Sequence, residues 1–121
     1  MHANTHQSLK VSEIAAHFKL GTDTTRKLLR ATAVRPVSIG PQRYAWTDIW
    51  RLEGAGYVPP NLFKEFQLPL LKPAEVSRRF FPHLASRTIT DRAKKGRLPG
   101  FLLGNDWRFR EWEIREAAIH G

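Results

Sequence analysis

KKGRLPGFLLGNDWRFREWEI, residues 94–114, carries three structural signals in one stretch. Gly96 sits where a glycine closes a helix as its C′ residue. Gly104-Asn105-Asp106 interrupts two short runs, about 100–103 and 107–110, as the turn of a β-hairpin does. The alternation Trp107-Arg108-Phe109-Arg110 reads as a strand with the aromatics inward and the arginines outward. A helix is then expected from Arg110 or Glu111 onward. The stretch is a helix end, a hairpin and a helix start.

Working outward, the stretch closes the second of two similar segments. LKVSEIAAHF (9–18) is echoed sixty-two positions later by LKPAEVSRRF (71–80), with Leu, Lys, Glu and Phe identical at four matched positions. Val34, Val37, Ile39 and Gly40 align with Leu98, Phe101, Leu103 and Gly104 at a spacing of 64, and Tyr44-Ala45-Trp46 with Trp107-Arg108-Phe109 at 63. Ordered matches with small shifts in loops point to a tandem duplication. Each copy predicts a first helix (11–18, 73–80) and a second (about 24–32, 87–95), with Thr22 or Asp23 and Ser86 as N-caps. A short hairpin (36–39 with 43–46, and 100–103 with 107–110) and a third helix follow. The expected fold class is α+β, mostly helical, with units at 9–53 and 71–120. Between them lies a connector, 54–70, broken by Pro59-Pro60 and apolar enough, at Tyr57, Leu62, Phe63 and Phe66, to pack on its neighbours. Residues 1–8 read as a polar lead.

The charge balance narrows the partner class. Twenty Lys and Arg oppose eleven Asp and Glu, giving +9 and a pI near 10.7. Such a chain concentrates polyanions, because neutralised phosphates release condensed counterions. The absence of cysteine excludes disulfides and cysteine zinc sites. No run is long enough to span a membrane and MHANTHQSLK lacks a signal-peptide core, so a soluble intracellular protein is expected. There is no Walker loop, GxSxG elbow or HExxH helix, and Gly54-Ala55-Gly56 opens no helix. His2 and His6 read as incidental, and Glu13–His17 as a surface helix pair. No enzyme activity, metal or cofactor is expected.

The second helix of each copy carries the candidate chemistry. In SRTITDRAKKG, Ile89 and Ala93 form an inward stripe, leaving Ser86, Arg87, Thr90, Asp91, Lys94 and Lys95 outside with Arg97 beyond. Arginine reads guanine, threonine reaches a base or phosphate, aspartate accepts from cytosine, and lysines anchor on phosphate. In TDTTRKLLRAT, Leu28 and Leu29 face the core while Thr24, Thr25, Arg26, Lys27 and Arg30 form the polar face. The hairpin tips add Gln42 and Arg43 in the first copy, and Asn105, Asp106 and Arg108 in the second. The four tryptophans are read as core.

With LKPAEVSRRF, SRTITDRAKK and GRLPGFLLGNDWRFREWEI together, the second copy resembles the excisionase and MerR-type winged helix-turn-helix proteins, including AlpA-like regulators. Leu98-Pro99, Gly104, Trp107-Arg108-Phe109 and Glu113-Ile114 carry that match. The first copy departs, with Thr32 at the helix-ending glycine and Arg43-Tyr44-Ala45-Trp46 in place of the aromatic-Arg-Phe run. The resemblance implies a sequence-specific double-stranded DNA-binding protein in recombination directionality or transcription, cytoplasmic and nucleoid-associated in a prokaryote, with a site-specific recombinase or RNA polymerase as further partners. Self-association on DNA stays open. The chain stops just past the third helix, which disfavours ligand sensing. A seventeen-residue connector fully extended reaches roughly 56 Å, enough for adjacent major grooves and a bipartite site of about 20 base pairs. The alternative is a protein–protein adaptor that uses the winged-helix surfaces and the apolar connector.

Overall fold

A computed structural model describes residues 8–120, and the histidines of the lead, His2 and His6, lie outside them. The chain divides into two compact units, Met1–Phe63 and Lys64–Gly121. The class is α+β, with seven α-helices and two small antiparallel sheets among the described residues.

The first unit runs β1 (Ser8–Leu9), α1 (Val11–Phe18), α2 (Thr22–Ala31), β2 (Ser38–Ile39), β3 (Gln42–Ala45) and α3 (Trp46–Leu52). A 3₁₀ turn follows at Pro60–Leu62, and α4 (Phe63–Gln67) opens at the unit's last residue. The second unit continues with α5 (Pro73–Phe80), α6 (Ser86–Lys94), β4 (Phe101–Leu103), β5 (Asp106–Arg108) and α7 (Glu111–His120). The first helix of each unit lies where the apolar spacing predicts it.

Both first helices start by the same device. The Glu13 carboxylate accepts the Lys10 backbone N–H at 2.8 Å, and Glu75 accepts that of Lys72 at 2.8 Å. This is the glutamate half of a capping box; lysine has no acceptor with which to return the bond. The second helices begin earlier than expected. Their N-caps are Gly21 and Ala85, both extended and neither giving a side-chain cap, so Thr22, Asp23 and Ser86 stand inside the first turn.

The ends of α2 and α6 form matching Schellman closures. Gly96, at φ 72°, donates to the Ala93 carbonyl at 3.0 Å and Arg97 to that of Arg92 at 2.8 Å. In the first unit Ala33 takes this left-handed position at φ 57°, donating to Arg30 at 3.1 Å while Val34 donates to Leu29 at 3.2 Å. Thr32, expected at the glycine position, is instead the C-cap residue, and its hydroxyl donates to the Leu28 carbonyl at 2.8 Å.

The hairpins revise the internal alignment. β3 pairs with β2 (Ser38 opposite Arg43) and with β1 (Leu9 opposite Tyr44), giving the order β1-β3-β2. Ser8, read as part of a polar lead, is thus a strand residue. In the second unit β4 pairs with β5 (Phe101 opposite Arg108), and Leu71 exchanges two backbone hydrogen bonds with Phe109 at 2.8 and 3.0 Å. Since Leu9 and Leu71 are equivalent, Tyr44 corresponds to Phe109, not to Trp107. The true spacing is 63 on the first strand (Ile39 with Leu102) and 65 on the second (Arg43 with Arg108). The first unit's hairpin is simply two residues shorter, turning at Gly40-Pro41, a cis peptide, rather than at Gly104-Asn105.

The buried positions match at spacings of 62 on the first helices, 64 on the second and 65 past the hairpins. Ile14 and Val76, Thr25 and Ile89, and Ile49 and Ile114 are equivalent pairs, and all six residues are fully buried. In the second unit Leu71, Val76, Ile89, Ala93, Leu98, Phe109 and Ile114 form one apolar cluster, with Phe80, Phe81, Leu84, Trp107 and Ala117 at its edge. Gly100 is obligatory there: a Cβ would lie 2.6 Å from the Phe109 ring. In the first unit Trp46 and Trp50 stack at 5.6 Å and Phe63 packs on Trp50 at 5.4 Å.

The connector is absorbed in part: Val58, Phe66 and Leu70 are buried, whereas Tyr57 and Phe63, expected to pack, are 77% and 40% exposed. Its first part, through Phe63, belongs to the first unit; in the second part Phe66 is buried beside Trp112 and Arg110. With Pro60–Leu62 and Phe63–Gln67 wound into helical turns, each residue there advances about 1.5–2 Å. The reach of a fully extended connector is therefore an overestimate.

Candidate nucleic-acid interface

The buried stripe of α6, Ile89 and Ala93, fixes which face the helix turns outward. With 100° per residue, the direction opposite that stripe is occupied by Asp91, flanked by Arg87, Lys94 and Lys95, all exposed. Arg92 is also exposed, as is Arg97 just beyond the closure at Gly96. None of these six side chains joins an ion pair among the described residues. The expected intrahelical pairs Arg87–Asp91 and Asp91–Lys95 are not formed.

Three carboxylates of the unit are engaged away from α6. Glu111 holds Arg79 at 3.1 Å and Arg115 at 3.2 Å, Glu65 holds Arg115 at 3.2 Å, and Glu113 holds Arg110 at 3.4 Å. Five cations against one carboxylate therefore stand uncompensated on α6 and its exit. An exposed cation without a fixed partner keeps its attraction for phosphate, whereas a paired one has partly spent it.

Ser86 is exposed at the first turn, and Thr90 is half-buried with its hydroxyl donating to the Ser86 carbonyl at 2.8 Å. Thr90 can still accept a bond but has no free donor. Asn105 is exposed at the hairpin turn. Arg92, not among the residues expected outside, lies to one side of the Ile89–Ala93 stripe and reaches solvent.

Three candidate residues lie differently from the expectation. Thr25 is fully buried as the counterpart of Ile89, its hydroxyl donating to the Gly21 carbonyl at 2.8 Å. It is a core residue whose polar atom is satisfied within its own helix. Arg108, expected outward at the hairpin, is 5% exposed and donates to the Trp107 carbonyl at 2.7 Å. Burial pushes its pKa below the ordinary arginine value, opposed by the charges of Asp106 and Glu75. Arg43, its equivalent, is folded back on the first unit: Nε donates to the Ser8 hydroxyl at 3.0 Å, a terminal nitrogen to the Ser8 carbonyl at 3.3 Å, and Glu13 lies at 3.9 Å. In both units the charge of this arginine lies within reach of the first helix's capping glutamate, Glu13 for Arg43 and Glu75 for Arg108.

Arg110, also expected outward, is buried between the rings of Phe66 and Phe101, at 4.7 and 4.5 Å. Alternation failed on this strand because Phe101 and Phe66 cover the side that would otherwise meet water. His17 is likewise not a surface partner of Glu13. It is buried with Nε2 2.8 Å from Glu53, and Trp46 meets its ring edge-on at 4.9 Å.

On α2 the candidates Thr24, Arg26, Lys27 and Arg30 are exposed, as are Thr22, Asp23 and Ala31, with Leu29 buried and Leu28 half-buried. Arg26 lies 3.4 Å from Asp23. Gln42 is exposed at the start of β3, within 3.4 Å of the Tyr44 hydroxyl, and Arg35 is exposed on the approach to β2.

No helix among the described residues is long and apolar enough to cross a membrane, and no cluster there could hold a metal ion. Comparison with family models, curated proteins and solved structures returned no match.

Proposed function

We propose that the chain is a sequence-specific double-stranded DNA-binding protein, built from two winged helix-turn-helix units, that acts in recombination directionality or transcriptional regulation. The supporting observation is the face of α6. Arg87, Lys94 and Lys95 surround Asp91 with no ion-pair partner, on a helix whose back is sealed into an apolar core. A helix so presented fits the major groove, where Arg87 is suited to guanine, Asp91 to cytosine N4, and Lys94, Lys95, Arg92 and Arg97 to phosphates. In the first unit Arg26, Lys27 and Arg30 give a weaker version of the same face.

The test is a gel shift with duplexes from a randomised library, repeated at two salt concentrations. Tight, sequence-selective binding that weakens steeply with salt is expected. Weak binding without sequence preference would favour the adaptor reading. Phe66 of the connector is buried, while Tyr57, Phe63 and Leu68 are exposed and are the side chains an adaptor would use.

A further inference from the structure

A charge-based reading leaves the apolar face of the first unit's hairpin unused. Val37 and Ile39 are 60% and 80% exposed. Ile39 lies in β2, and Val37 stands at the bend just ahead of it, its backbone N–H donating to the Arg43 carbonyl at 2.7 Å. Ile39 stands opposite Gln42 at the tip, beside the exposed Pro41. In the second unit Leu102, the register equivalent of Ile39, is 52% exposed. The two hairpins differ in turn sequence and in length, yet each leaves a branched aliphatic side chain in water at the same register position.

The neighbouring charges identify what would cover it. Arg35 is exposed just ahead of β2, and Arg97 just ahead of β4. An aliphatic tip with arginines at its base complements a surface that is anionic at its rim and apolar within. The minor groove of a duplex is such a surface, where an aliphatic wedge can enter a base step and partly unstack it.

We propose that the first unit's hairpin is a minor-groove wedge that inserts Ile39 at a base step, and that Leu102 enters less deeply at the second unit's hairpin. This rests on the duplex-binding reading above. The probe is a duplex of roughly 30 base pairs selected from a randomised library, with 2-aminopurine placed at successive steps. Binding should raise 2-aminopurine fluorescence at a local step. Ile39→Ser should abolish most of that rise while changing Kd by no more than about tenfold and leaving the salt dependence intact. Ile39→Phe, which preserves a wedge, should retain the rise and controls for folding. Binding with no rise at any step, or a rise that survives Ile39→Ser combined with Leu102→Ser, overturns the proposal. A wild-type chain that binds no duplex overturns the DNA reading and the wedge together, and the binding measurement itself makes that distinction. If sedimentation shows Ile39→Ser converting a self-associated chain to monomer, the hairpin is a contact between copies and the wedge is wrong.

Discussion

The two units share a scaffold and differ in what they display. Position by position, α6 presents Arg87, Asp91, Lys94 and Lys95 where α2 presents Asp23, Lys27, Arg30 and Ala31. The second unit thus carries three cations and one carboxylate on its outermost face, the first two cations and one carboxylate. In the hairpin the balance reverses: Val37 and Ile39 are exposed in the first unit, against Leu102 alone in the second. Beneath these differences the arginine on the second hairpin strand, the glutamate that caps the first helix and the helix-closing left-handed residue recur in both. What recurs is what holds the unit together; what differs is available for recognition.

The largest expected effect tests the shared scaffold. Phe109→Ala removes a fully buried ring that packs over Gly100, and should cost about 3–5 kcal/mol of stability in chemical unfolding. A loss below about 1 kcal/mol would mean that this strand is not the keystone of its unit. Next, Arg87→Ala should relax base preference at one position by about 1–3 kcal/mol, measured by competition among single-base variants of a selected duplex. Asp23→Ala, at the equivalent place in α2, removes a carboxylate and should strengthen binding modestly; an equal loss from both would erase the contrast between the faces.

Two smaller effects sharpen the comparison. Thr25→Val keeps the shape of a buried side chain and loses only its bond to Gly21, so stability should fall by about 1 kcal/mol with duplex affinity unchanged. A loss of affinity would return Thr25 to the interface. Ala33→Gly relieves a left-handed alanine and should stabilise by up to about 1 kcal/mol, while Gly96→Ala should destabilise by a similar amount. Thermal melts of the two variants should shift in opposite directions.

The legible part of the fold was the part written in helical periodicity. The first helices, the inward Ile89–Ala93 stripe and the glycine at 96 follow from spacing and from the chemistry of glycine. The hairpins were harder, because a strand of two to four residues gives too little alternation to fix its register. Aligning Tyr44 with Trp107 made the first copy look divergent. Backbone pairing restores Gln42-Arg43-Tyr44 as the counterpart of Trp107-Arg108-Phe109. The candidate site was legible as a cluster on α6 but not residue by residue. Arginines flanked by aromatics look like groove contacts in a linear sequence, and whether Phe66 and Phe101 close over Arg110 depends on tertiary packing. Thr25 illustrates the same limit, since a threonine that bonds its own helix can occupy a core position.

The unpaired cationic face of α6 is best tested by the salt dependence of duplex binding for the intact chain and for Arg87→Ala/Lys94→Ala/Lys95→Ala. The intact chain should lose affinity steeply with salt, and the triple variant should have a slope of log K against log salt shallower by about 2–3. A triple variant with the same slope and affinity as the intact chain would contradict the assignment of α6 to the duplex.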